Sequence, residues 1–388
     1  MKRLVIECGA AETRAALLIG EDVWKFWFGP ARGDEAGDAF AMAGRRFAAR
    51  VRHVDNGLGA AFLDIGNGTE AFLPLKKNNE AHCVEGAMLA VEVKAPPRQG
   101  KGALLKFVAV SDAAAPGRSA PVADAAVEAA QAVGADADDI AVDDGAALQA
   151  LKAAGFDNVV HETRTQSLFE SCGALAELSG AFDCAVALPG GGRLVIDEAQ
   201  ALTAVDVDTG GLGASSPARL REKIAVAAAS EAVRQISLRN IGGHVVIDFP
   251  DISNEASRKR FGEHLRKVMT RLAGAGAASF SKSGLYSFTA PHSALSLLDR
   301  FTEFSNADPV AGRRFTVEAK AKAAIGALER GMRAAPSMRY RLGVGRELDA
   351  FLALRPAWRA RLADRFGARF QIVADEKCGG REHDLSQQ

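Results

Sequence analysis

Two apolar, β-branched runs along this chain end in acid. The first, within 194–211, closes on Asp206 and Asp208; the second, within 243–252, closes on Asp248. Runs of this texture read as buried strands that deliver carboxylates to one edge of a sheet. Side chains alternate along a strand, so Asp206 and Asp208 share a face, and a neighbouring strand ending at Asp248 brings a third carboxylate beside them. Between the runs lies a Gly-rich loop, 209–215. Ser216 then supplies an N-cap and Pro217 a first helical position for a helix that runs to about Leu238. Strand, helix, strand is the unit that sets two parallel strands side by side. One Asp at the end of a strand is an ordinary turn residue; two such strands point to a site.

Elsewhere the period changes. Residues 43–110 alternate in short runs divided by turn signals, with roughly five strands in about 70 residues, the pattern of a small OB-type barrel. Alternation turns Leu63, Ile65, Leu73 and Leu75 inward and leaves Phe62 and Phe72 on the outer face, where two aromatic rings on adjacent strands offer a stacking platform for bases. Arg45, Arg46, Arg50, Arg52, Lys94, Arg98 and Lys101 surround them and are expected to meet phosphates. Strand-like runs at 4–7 and 14–19, then at 139–143 and 158–161, alternate with helical stretches in an α/β texture. Residues 111–135 begin as an Ala- and Asp-rich linker. A basic helix carries Arg258, Lys259, Arg260, Arg266, Lys267 and Arg271 and is followed by Lys282; a solvated face is the commoner use of such charge. Residues 291–311 read as a linker and 312–375 as a small α/β module, with a helix interrupted at Pro356.

Composition narrows the classes. At 388 residues, with 48% hydrophobic and 25% charged, the chain is long enough for two or three globular domains. Basic and acidic residues balance at 48 each, so any affinity for nucleic acid has to come from local surfaces. Five scattered cysteines without a C-x-x-C pair fit neither a disulfide scaffold nor a zinc knuckle, and a reducing cytoplasm suits them. No apolar segment is long enough for a membrane span, and the N-terminal run breaks at Glu7, so no membrane partner and no signal peptide are expected. Three carboxylates without a nearby His or Cys favour a hard cation, magnesium or manganese in its place.

These residues resemble the catalytic region of the ribonuclease E/G family. The motifs that carry the resemblance are Ala60-Ala61-Phe62-Leu63-Asp64 and Ala71-Phe72-Leu73-Pro74-Leu75 in the barrel, Leu188 to Asp197, Ala201 to Asp206, and Gly242 to Phe249. The resemblance implies a magnesium-dependent endoribonuclease acting on single-stranded RNA. It implies Asp206 and Asp248 as catalytic metal ligands, with Asp208 a lesser candidate, and Phe62, Phe72 and Lys101 as RNA contacts. It also implies an α/β multidomain fold. An RNase H-like part (1–36 and 136–181) would hold an inserted OB-fold barrel (37–110), with 111–135 a linker or reduced sensor region. A DNase I-like catalytic region (182–290), the 291–311 linker and a small C-terminal α/β domain (312–388) would follow. Departures are equally specific. Asp208 stands where the family carries Asn, Thr209-Gly210-Gly211 replaces Ser-x-Arg, and neither the Cys-Pro-x-Cys zinc link nor the Arg-Thr pair of the 5′-phosphate sensor has a counterpart. No structural zinc is therefore expected, and the chain is read as a monomer or a homodimer joined without zinc. Two other classes stay open: an RNA-binding protein of this fold with lost catalysis, suggested by the altered loop, and an actin- or sugar-kinase-like ATPase, suggested by the N-terminal hairpin around 9–13.

Overall fold

The chain divides into two compact units, one built from Met1–Ala39, Val122–Leu178 and Leu298–Gln388, the other from Phe40–Pro121 and Ser179–Leu297. The computed structural model describes residues 1–33, 43–98, 101–119, 124–210, 218–252, 254–304, 312–379 and 383–387. The N-cap expected at Ser216 and Pro217, and most of the Gly-rich loop before it, lie outside the described residues.

In the first unit a five-stranded sheet runs in the order Val159–His161, Asp139–Val142, Lys2–Cys8, Glu12–Ile19, Asp22–Pro30. The last three strands form an antiparallel meander, and the first two join it in parallel. The period of two predicts two strands in the N-terminal stretch; Asp22–Pro30 is a third. Trp24, Phe26, Trp27 and Phe28 are all buried, so both of its faces are covered and no period of two shows. The C-terminal sheet has the order Phe370–Ala374, Tyr340–Val344, His383–Gln387, the first pair parallel and the second antiparallel. The helix Val317–Ala334 packs on it, and Thr316 caps that helix by accepting from the Ala319 N–H. Two further helices, Arg346–Ala353 and Pro356–Phe366, meet where the proline starts the second, a position at which its missing N–H costs nothing. The expected linker at 291–311 is not bare: it contains the short helix Leu297–Phe301 and the strand Thr302–Phe304, which pairs with Arg313–Phe315.

The turn between the first two strands is driven into this C-terminal core, where Ala10 and Ala11 lie among Ala321, Ala324, Leu328 and Met332. Charges seal the junction. Asp143 accepts from the Cys8 N–H at 2.7 Å and from Arg365 at 2.9 Å, and also pairs with Arg333. Burial pushes the Glu7 carboxyl up, but Arg14 at 2.6 Å and the Phe169 N–H at 3.1 Å outweigh it and hold Glu7 below its ordinary range. For Glu329 the balance goes the other way: burial raises its carboxyl to about 7, although Arg365 and the Ala10 N–H, 3.1 Å from Oε1, pull it down.

The second unit contains a closed five-stranded barrel and a six-stranded sheet. Of the barrel strands Arg46–Asp55, Ala60–Asp64, Glu70–Pro74, Met88–Ala95 and Leu104–Val110, the first pairs with the second, the second with the third and the fourth with the fifth; the ring closes where the first meets the fourth antiparallel and the third meets the fifth in parallel at Phe72 and Leu104. Closure needs Gly102, because a Cβ there would stand 1.7 Å from the Glu70 carbonyl oxygen. Leu63, Ile65, Leu73, Leu89, Val91 and Leu105 fill the interior. The six-stranded sheet has the order Ala185–Ala187, Arg193–Glu198, Thr203–Asp208, Gly243–Asp248, Tyr286–Ala290, Ser279–Phe280.

The raised carboxyl of Glu329 has a pH signature. A folded acid with a pKa above its unfolded value binds extra protons between the two, so it costs stability as pH rises from about 4.5 to about 7. Glu329→Gln removes that cost while keeping an acceptor for the Ala10 N–H. The stability difference between the variant and the parent should grow in the variant's favour across that range, by up to roughly 3 kcal/mol. Denaturant unfolding at several pH values checks this; a pH-independent difference contradicts it.

Candidate active site

Thr203–Asp208 and Gly243–Asp248 are parallel neighbours in a register that sets Asp206 directly beside Asp248. Strand spacing alone places their Cα atoms about 5 Å apart. The sheet is not covered on both faces, as the apolar runs suggested. Val205, Val207, Val245 and Ile247 are buried on one side, where the helix Ala218–Leu238 packs with Ala225, Ala228, Ala229 and Ala232 buried along it. Asp206 and Asp248 are exposed on the other. Among the described residues neither carboxylate has a hydrogen bond or an ion pair, so both present free oxygens to solvent.

Asp208 lies on the same strand face but is engaged. Its Oδ1 accepts the Gly210 N–H at 2.9 Å and its Oδ2 meets Arg193 Nε at 2.9 Å, across the Arg193–Asp208 register pair. The Gly210 N–H, chiefly, and the Arg193 guanidinium hold its carboxyl below the usual carboxylate range. Gly192 makes the approach possible, with φ +82° and a hypothetical Cβ only 2.6 Å from the Asp208 carbonyl oxygen. Among the described residues no three His, Cys, Asp or Glu gather into a ready-made metal cage.

The acid pair opens on a cleft of about 860 Å³ whose lining includes Asp251, Arg258, Phe261, Phe280 and Gly284. Its walls come from the helix Glu255–Met269, capped by Asn254 accepting from the Ser257 N–H at 3.1 Å, and from the hairpin that joins Ser279–Phe280 to Tyr286–Ala290. The basic helix is thus partly a wall and partly a brace. Arg260 grips Glu222 with two bonds of 2.8 Å, and Ser257 donates to the same carboxylate at 2.7 Å. Those donors, Arg260 first, lower the Glu222 carboxyl to about 2.

On the barrel, Phe62 and Phe72 are register partners, half-buried on the outer face, their rings edge to face at 5.7 Å. His53 lies flat on Phe62, centroids 4.4 Å apart and planes 12° apart. Alternation along its strand misses this neighbour of the ring pair, because an irregularity between Val51 and His53 shifts the register and turns the imidazole outward. The expected ring of free cations is largely spoken for. Arg45 is buried, Arg46 pairs with Glu92, Arg50 donates to the Ala114 carbonyl, Arg52 pairs with Asp64 and Arg98 contacts His292. Lys94 and Lys101 are exposed and outside any ion pair among the described residues, and so is Lys106, which is not among the cations expected around the rings.

No helix among the described residues is long and apolar enough to cross a membrane. Residues 121–290, which include the acid pair and the cleft but none of the barrel strands, match the model of the Ribonuclease E/G family. Ribonuclease G of Escherichia coli K12 is 33% identical over 112 residues, covering 29% of this chain and 23% of that protein. Ribonuclease E of Synechocystis is 34% identical over 120 residues, 30% of this chain and 18% of its own length. A chloroplastic ribonuclease E/G-like protein of Arabidopsis thaliana is 36% identical over 99 residues, 24% and 10% of the two chains. The aligned part therefore spans less than a quarter of each of these relatives. Residues 121–290, just under half of the chain, are thus similar to the Ribonuclease E/G family, and the relatives they resemble are named as ribonucleases E and G.

Proposed function

We propose that the chain is a magnesium-dependent endoribonuclease that cuts single-stranded RNA. The observation that carries the reading is the register pairing of Asp206 with Asp248, two unpartnered carboxylates on an open cleft. Magnesium suits this donor set, since it is held by one or two carboxylates and completes its shell with water and phosphate oxygens; manganese fits the same oxygens. When bound, the ion supplies an activated water and charge stabilisation at the phosphodiester. Asp206 and Asp248 hold it against the substrate. Asp208, tied to Arg193 and Gly210, keeps the end of its strand in place and leaves the first position of the loop defined.

Single-strand preference is inferred from the barrel. Its closed five-stranded order, with the third strand on the fifth in parallel, supports an OB-type barrel, and Phe62 and Phe72 stand on the second and third strands, where such barrels take oligonucleotides. Bases in a duplex are already stacked, so a ring platform of this kind selects unpaired ones. Lys101 supplies a phosphate contact beside it. The order of the first unit's sheet, an antiparallel meander extended by two parallel strands, supports an RNase H-like part, and the mixed six-stranded sheet is read as the DNase I-like part. The ATPase reading is disfavoured by the buried turn at Ala10 and Ala11, whose Ala10 N–H is already given to Glu329 where a phosphate would have to bind. The choice between an active nuclease and a binding protein with lost catalysis falls to the nuclease, because both carboxylates of the pair are present and unobstructed.

Asp206→Asn and Asp248→Asn each remove a charged oxygen ligand. Each should cut cleavage of a labelled single strand in magnesium by ~100-fold or more while leaving binding of the same RNA nearly unchanged. Asp208→Asn should keep substantial activity. Cleavage that survives both of the first two changes sinks the assignment.

Phe62→Ala and Phe72→Ala should each weaken RNA binding by about 1–3 kcal/mol, with little effect on binding to duplex of the same length. Anisotropy of a labelled strand reads the loss; equal losses on duplex and single strand would contradict a stacking platform.

A further inference from the structure

Two walls of the cleft have no part in holding a metal. Arg258 is exposed near the start of the helix Glu255–Met269, and among the described residues it makes no ion pair, whereas Arg260 is bound bidentately to Glu222. An arginine kept to neutralise the acids of this cleft would be bonded to one of them. Across the opening, Phe280 is 49% exposed. One flank of its ring meets Tyr286 at 4.9 Å with a 52° tilt, which leaves the other face uncovered. Ser283 and Gly284, at the turn of the same hairpin, add only small groups, so the space before the ring stays open.

A free guanidinium, an uncovered aromatic face and a pair of carboxylates lining one cleft match the parts of one ligand class: a phosphate, a flat base and a reacting phosphodiester. A peptide would use the ring but leave Arg258 without an anion unless it were acidic, whereas a nucleotide carries its anion and its flat ring in one unit. A phosphodiester chain meets both demands, since a cation held by the acid pair and the guanidinium of Arg258 are both positive partners for it. We propose that Arg258 and Phe280 form a subsite for the unpaired nucleotide next to the scissile linkage. Arg258 holds the phosphate of that nucleotide and Phe280 stacks its base. The proposal rests on reading Asp206 and Asp248 as the cleavage site. Every base has a stacking face, so the subsite selects unpaired nucleotides rather than one base over another.

The test uses the full chain and a fluorescein-labelled single-stranded oligoribonucleotide. Cleavage is followed in magnesium, and anisotropy is measured with calcium in its place. Arg258→Gln and Phe280→Ala should each raise KM and weaken calcium-supported binding by about tenfold, with kcat changed less than about twofold. Phe280→Tyr, which keeps a ring, should recover most of the loss, as a merely unfolded variant would not. After the cut is mapped on this oligonucleotide, replacing the flanking nucleotide by an abasic one should bring the parent down to the level of Phe280→Ala and cost that variant nothing more. Unchanged KM and binding in both variants overturn the subsite, as does an abasic substrate that costs Phe280→Ala as much as the parent. A parent chain that binds the RNA without cutting it would instead overturn the cleavage reading, and the anisotropy comparison would still decide the subsite.

Discussion

The parallel ladder between Thr203–Asp208 and Gly243–Asp248 is the constraint on which the candidate site depends. It forces two like charges side by side, and the cost is small because the pair faces water. Two unit charges 4 Å apart in water interact by about 1 kcal/mol. Burial on the opposite face outweighs that: Val205, Val207, Val245 and Ile247 are each nearly inaccessible, and covering one such side chain is worth about 1.5–3 kcal/mol. The same strands therefore carry both the stability and the chemistry, on opposite faces. A crossover helix rich in small residues makes the arrangement close-packed, and the Arg260–Glu222–Ser257 brace ties the cleft's helical wall to that crossover.

The barrel presents its rings under a different constraint. Closing five strands requires the chain to pass within contact of Glu70 at Gly102, which fixes Phe72 beside Leu104, while the Phe62–Phe72 pair is set by the antiparallel ladder between the second and third strands. Around the rings Arg46 and Arg52 are paired with acids of the barrel itself, while Lys94, Lys101 and Lys106 are exposed and outside any ion pair among the described residues.

Periodicity made some of this legible and hid the rest. Alternation put Leu63 and Leu73 inside and Phe62 and Phe72 outside, and the acid-terminated runs marked Asp206 and Asp248, because both signals live in neighbouring residues of one strand. His53 was hidden by a register shift that no sequence period records. The burial of Arg45 and the partners of Arg46, Arg50 and Arg52 depend on what stands across the barrel wall, which the spacing of arginines does not encode. Alternation gives the face that Asp208 shares with Asp206 and not its partner, here Arg193. Asp22–Pro30, buried on both faces, lacked a period, and Arg258 and Phe280 acquire meaning only when a helix and a hairpin distant in sequence wall the same cleft.

The central claim is that the register pair Asp206 and Asp248 holds one divalent cation from the protein's own side chains. Manganese binding followed by electron paramagnetic resonance, in the absence of RNA, tests it most directly. The account predicts one site on the parent chain, competed by magnesium, weakened at least ~10-fold by Asp206→Asn and by Asp248→Asn alike, and changed little by Asp208→Asn. A site of full strength in either of the first two variants, or one abolished by Asp208→Asn alone, would contradict it.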